Sequence, residues 1–140
     1  DADTFYLQDD VNKYIDILLQ EYIKTDYDVR VIVVGGKVMG GMKRPIVKGD
    51  FRSNVSQGSE PEIHELTELE ISESLRAAKA VGGDVVGVDF IPAKNRDKDK
   101  PFFIEVNSNP GLKGIEGVFS KKFSMTEKIL TTYLNRDNWR

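Results

Sequence analysis

Residues 28–42, DVRVIVVGGKVMGGM, restrict the fold more than any other stretch of the chain. β-branched residues run up to Gly35-Gly36, a dipeptide that accepts the positive φ values of a tight hairpin turn. Two later apolar runs, DVVGVDFI (84–91) and PFFIEVNS (101–108), read as strands joined by the solvated connector PAKNRDKDK. Between the two strand regions, Thr67 and Glu70 form a capping-box pattern ahead of Ile71, Leu75 and Ala78, whose i, i+4, i+7 spacing predicts a helix. Gly82-Gly83 ends it. Ser124 and Glu127 open a last helix with Ile129, Leu130, Tyr133 and Leu134 on its apolar side. The segment YIDILLQEYI (14–23) suits a buried strand or a short helix, and periodicity leaves both open. KRPIVKGDFRSNVSQGSEPE (43–62) reads as a polar loop rich in Gly, Ser and Pro. The plan is α+β: an antiparallel sheet of hairpins covered by helices.

With 140 residues, one domain's worth of chain is available, enough for a substantial core. A net charge of −3 gives no global reason to expect nucleic acid. Lys43, Arg44 and Lys48 offer a few cations, but aromatics for base stacking are not interleaved with them beyond Phe51. No apolar run reaches membrane-spanning length, and the acidic N-terminus is unlike a signal peptide. The absence of cysteine excludes disulfides and thiolate metal sites and fits a reducing compartment, with the cytoplasm as the default expectation.

The last strand carries an unexpected pair of polar side chains. Alternate residues of a strand share a face, so Phe103, Glu105 and Asn107 point one way and Phe102, Ile104 and Val106 the other, into a core. A hairpin that sets Ile91 opposite Phe103 also sets Asp89 opposite Glu105 and Gly87 opposite Asn107. Two carboxylates facing each other across a sheet repel unless a positive charge sits between them. The donors are all oxygen, the preference of a hard cation such as Mg²⁺ or Mn²⁺ rather than zinc. Mg²⁺ held by so few carboxylates completes its octahedron with water and substrate phosphates, which points to a nucleotide-phosphate site. A solvated sheet face is the competing reading of the same residues.

FIEVNSNPGLKGIEG, together with GDVVGVDFI, GDFRSN and LLQEYI…DVRVIVVGG, closely resembles the C-terminal half of the ATP-grasp fold. Within that superfamily it looks most like the RimK-like branch, ligases that add glutamate to the C-terminus of a ribosomal protein. Lysine-biosynthesis and other amino-acid ligases share much of the same wording. The resemblance implies ATP and Mg²⁺ (or Mn²⁺) as cofactors, with Asp89, Glu105 and Asn107 as metal ligands. It implies adenine contacts from Glu21 and Tyr22, a strand-like course near Leu18–Tyr22, and a nucleotide-binding Asp28 that accepts a ribose hydroxyl. Arg30 would approach phosphates or substrate from the same strand face. Arg52, Ser53 and Asn54 match residues lining the phosphate and acyl-phosphate region.

Such ligases phosphorylate a carboxylate and let an amine displace the phosphate. The implied partners are therefore an amino acid, glutamate by this resemblance, and a protein or peptide carboxylate. Arg52 is assigned the catalytic role, since a fixed-charge guanidinium fork suits a transferred phosphate. No general base stands out. His64, the only histidine, has no second His or Cys nearby and reads as a surface residue; Tyr133 and Trp139 read as packing residues. Nothing resembles the upstream lysine-bearing subdomain and Gly-rich loop of a complete enzyme. Residues 1–140 are thus expected to be a C-terminal part that binds ATP weakly and does not ligate by itself. A non-catalytic nucleotide-binding or interaction module is the alternative.

Overall fold

A computed structural model describes residues 19–46 and 60–135. Among these, five strands form one fully antiparallel sheet in the order β3-β2-β1-β4-β5, with β1 Tyr27–Val34, β2 Lys37–Pro45, β3 Glu62–His64, β4 Val85–Ile91 and β5 Phe102–Asn107. Three helices cover it: α1 Glu68–Val81, α2 Lys113–Phe119 and α3 Met125–Leu134. The α+β plan holds. No described helix is long and apolar enough to cross a membrane.

β1 and β2 turn at Gly35-Gly36, whose φ values of 54° and 72° are those the dipeptide permits. The strand after the turn runs on to Pro45, so residues 43–45 belong to the ladder and not to a loop. At the other end of the supposed loop, residues 62–64 pair with 41–43 as β3. α1 begins with the expected capping box: Thr67 Oγ1 accepts from the Glu70 amide, and the Glu70 carboxylate accepts from the Thr67 amide. It ends at Gly82, which is left-handed at φ 67°. Residues 19–22 lie in no strand, contrary to the strand-like course expected there.

The sheet's two faces are covered differently. Val29, Val31 and Val33 of β1 join Val86, Val88 and Phe90 of β4 beneath Ala78, Leu75 and Ala77 of α1. The alternate residues Ile32 and Val34 join Met39 and Met42 beneath Ile115, Phe119, Met125 and Ile129 of α2 and α3. α2 escapes sequence reading because Gly114 and Gly117 dilute its periodicity. α3 buries Met125 and Ile129, while Leu130 and Leu134 face solvent rather than the core.

α2 and α3 cover only the end of their face occupied by Ile32 and Val34. Arg30 and Asp28, earlier on β1, continue that face, as do Arg44 on β2 and Asp89 on β4, by direct pairing. The polar half of this face is the candidate site.

Candidate functional site

β4 and β5 pair Asp89 with Glu105 and Gly87 with Asn107, as the sequence predicts. Past Asp89 the register shifts: Phe90 pairs with Phe103 and Ile91 with Phe102, which leaves Ile104 as an extra residue. The bulge corrects the predicted Ile91–Phe103 pair. It also turns Phe103 toward the α1 face, where its ring meets Phe90 edge-on at 6.4 Å. Phe102 and Ile104 are not core residues but stay exposed on the edge strand. Of the three expected to point inward, only Val106 packs on the core.

Beyond Asn107 the chain is fixed by two contacts. Asn107 Oδ1 accepts from the Asn109 amide at 2.8 Å, closing a tight turn. Pro110 is buried directly over Gly87, so that a Cβ at residue 87 would lie 2.7 Å from Pro110 Cβ. A glycine opposite Asn107 is what lets the turn fold back onto the sheet.

Asp89 is 4% exposed and sits between two arginines. Arg30 grips it with a bidentate fork, Nε donating to Oδ1 at 2.7 Å and Nη2 to Oδ2 at 2.6 Å. Arg44 forks onto Asp28 through Nε to Oδ1 at 2.7 Å and Nη2 to Oδ2 at 2.9 Å, and the same Nη2 donates to Asp89 Oδ2 at 2.9 Å. Hydrogen bonding to Asp89 raises the Arg30 pKa above its usual value against the opposing effect of burial, with the charges of Asp89, Glu105 and Asp28 adding to the rise. Glu105 is exposed and has no hydrogen-bond or ion-pair partner among the described residues.

Sequence reasoning missed Arg44. It reads as one of a run of solvated cations, yet it is 8% exposed and holds two aspartates. The available signal is its place two residues after Met42 on the same strand face. His64 was likewise expected at the surface but is buried. Its Nε2 lies 3.1 Å from Glu70 Oε2 and 2.9 Å from Arg96 Nη2. Arg96, in the connector after β4, also forks onto Glu70 at 2.8 Å through both Nε and Nη2 and donates to the Glu65 carbonyl. This cluster ties the β4–β5 connector to the start of α1 on the face opposite the site.

A cavity of about 450 Å³ opens beside Asp28, lined also by Glu21, Tyr22, Ile23, Ile46, Ile91 and Phe102–Ile104 among others. The structure thus brings together Glu21, Tyr22 and Asp28 in one apolar-walled pocket, and Asp28, Arg30 and Asp89 in one ionic network. Arg52, Ser53 and Asn54 lie outside the described residues. No group of three His, Cys, Asp or Glu side chains is gathered for a metal among the described residues. The expected ligand set, two carboxylates and an amide, has fewer acidic groups than that. Its chemistry still fits a hard divalent ion: among the described residues Asp89 Oδ1 accepts one hydrogen bond and Glu105 has no partner.

An antiparallel sheet backed by helices on both faces is the architecture expected for part of an ATP-grasp domain. The RimK-like ATP-grasp domain family matches residues 6–132, and the chain belongs to it. Among curated relatives it is 48% identical over 102 residues to a protein of Shewanella denitrificans named probable alpha-L-glutamate ligase 2, covering 71% of this chain and 33% of that protein. It is 47% identical over 116 residues to the probable alpha-L-glutamate ligase 1 of Shewanella frigidimarina, covering 81% and 36%. The chain therefore spans about a third of the length of these relatives. Among solved structures, the ATP-grasp ligase PsnB complexed with a phosphomimetic variant of a minimal precursor, Mg and ADP shares 27% identity at a TM-score of 0.54, over 69% of this chain and 29% of that one. D-alanine–D-alanine ligase of Bacillus anthracis, complexed with ATP, shows the same fold at 19% identity and a TM-score of 0.54, over 81% and 38%.

Proposed function

We propose that this chain is the nucleotide- and metal-binding part of an ATP-dependent carboxylate–amine ligase that works through an acyl phosphate, with glutamate as the amino acid and a protein or peptide carboxylate as its partner. The observation that carries this reading is the register of β4 and β5. It sets Asp89, Glu105 and Asn107 on one face beside the pocket of Glu21, Tyr22 and Asp28. The names of the Shewanella relatives support glutamate, and the precursor peptides in the PsnB structures support a peptide partner.

In this reading adenine lies in the apolar-walled pocket against Glu21 and Tyr22. Asp28 spends one acceptor position per oxygen on Arg44 and keeps the others for a ribose hydroxyl. Asp89, Glu105 and Asn107 hold Mg²⁺ or Mn²⁺, which when bound neutralises charge on the β- and γ-phosphates. Phosphoryl transfer asks the protein for positioning and charge cancellation more than for covalent chemistry. Arg30 contributes a guanidinium on the same face, and Arg52, with Ser53 and Asn54, takes the transferred phosphate and the tetrahedral intermediate. Cytoplasm is the proposed location.

The test is phosphate release and product mass from the protein carrying this chain, given ATP, Mg²⁺ and a panel of amino acids with peptide acceptors. Glutamate-dependent release that Asp89→Asn abolishes is the expected result. Release with no dependence on any amino acid, or activity surviving Asp89→Asn, would refute the reading.

A further inference from the structure

The two arginines around Asp89 have a consequence for how the ion arrives. Of the roughly four acceptor positions on a carboxylate, Asp89 has three filled among the described residues: one on Oδ1 by Arg30 Nε, and two on Oδ2 by Arg30 Nη2 and Arg44 Nη2. Asp28 and Asp89 are balanced in charge by Arg30 and Arg44. A free divalent ion approaching Asp89 meets two balanced aspartates, with Glu105 as the remaining negative charge, and two cations at hydrogen-bond distance from its main ligand.

The two arginines are not equivalent. Arg44 has a 9% exposed side chain and two aspartate partners, so moving it would strand Asp28, itself 1% exposed. Arg30 has an 18% exposed side chain, and among the described residues both of its side-chain bonds go to Asp89. It can leave without stranding any other carboxylate. An incoming phosphate offers its fork an equivalent bidentate partner.

We infer that Arg30 is an exchangeable counter-ion that closes Asp89 to free divalent cations, and that nucleotide phosphates draw it off while Arg44 stays and holds Asp89 in place. The ion would then be taken up with the nucleotide, not ahead of it. The inference rests on the metal assignment proposed above and adds to it an order of binding.

Binding of Mn²⁺ alone, followed by loss of the free-ion signal in electron paramagnetic resonance, tests this without any ligase assay. The wild-type chain should take up Mn²⁺ weakly by itself and more tightly with ADP present. Arg30→Gln should bind free Mn²⁺ roughly tenfold or more tightly than wild type, because one unit positive charge next to the ion is gone. Arg30→Lys, which keeps the charge and loses the fork, should remain near the wild-type level. Equal free-Mn²⁺ affinity in wild type and Arg30→Gln would overturn the inference, whatever ADP does. A gain in Arg30→Gln together with no ADP effect in wild type would leave the counter-ion role standing and bring down the nucleotide reading instead.

Discussion

Replacing Glu70 with Gln keeps the shape of the α1 cap and removes its charge, and the size of the loss follows from the groups around it. The carboxylate is 1% exposed and accepts from the Thr67 amide at 3.1 Å and from Arg96 Nε and Nη2 at 2.8 Å, with His64 Nε2 at 3.1 Å. Burial alone pushes its pKa up, but Arg96 first, then His64 and the Thr67 amide, outweigh burial and hold it at about 2 against an ordinary 4.5. At about 1.36 kcal/mol per pH unit, such a gap is worth roughly 3 kcal/mol at neutral pH. The Arg96 side chain is 32% exposed, and the screening this allows brings the expected cost of Glu70→Gln to about 2 kcal/mol. That corresponds to roughly 8 °C in Tm for a chain of this size. The folded-state pKa lies below the ordinary value, so the stabilisation is complete above pH 4.5 and fades as pH falls through about 2. Urea unfolding followed by far-UV circular dichroism at several pH values measures it. The gap between wild type and Glu70→Gln should be constant down to about pH 5 and narrow below that. A gap that stays constant into the acid range, or no gap at neutral pH, would refute the assignment of charge to this cluster.

Two further substitutions probe the site's scaffold. Arg44→Met strands Asp28 in a buried position and should cost about 3–5 kcal/mol in thermal or urea unfolding, with part recovered when Asp28→Leu is added; a loss under 1 kcal/mol would show that Asp28 is solvated. Gly87→Ala puts a methyl 2.7 Å from Pro110 Cβ and should cost about 1–3 kcal/mol. Gly111→Ala, where a Cβ meets nothing within 4 Å, serves as the comparison and should cost much less. Equal costs at the two glycines would mean that Pro110 does not pack on the strand.

What the sequence discloses about this fold is local, and what it conceals is long-range. The Gly35-Gly36 turn, the Thr67–Glu70 box and the Gly82 stop each draw on residues within a few positions of one another. Asp89 opposite Glu105 was legible because strand alternation and a short connector together fix a register. The bulge at Ile104 was not, since nothing in FFIE marks which residue will be extra. Arg44 and Arg96 show the limit more sharply. Each sits among lysines in sequence, and each is drawn inward by a carboxylate 16 or 26 positions away: Asp28 for Arg44, Glu70 for Arg96.

The same distinction applies to the ionic network around Asp89. Asp28 and Arg30 lie two apart on β1, Arg44 closes the pair from β2, and Asp89 answers from β4, 59 residues along the chain from Arg30. Only the assembled sheet puts the four charges in one network, so the network forms with the fold. A buried carboxylate such as Asp89 is a liability unless it is paired, because an unpaired buried charge costs several kcal/mol. Two arginines from neighbouring strands offset that cost in advance. One of them is tethered to a second carboxylate and the other is not, so under the counter-ion proposal above Arg30 is the cation that would be given up to phosphate.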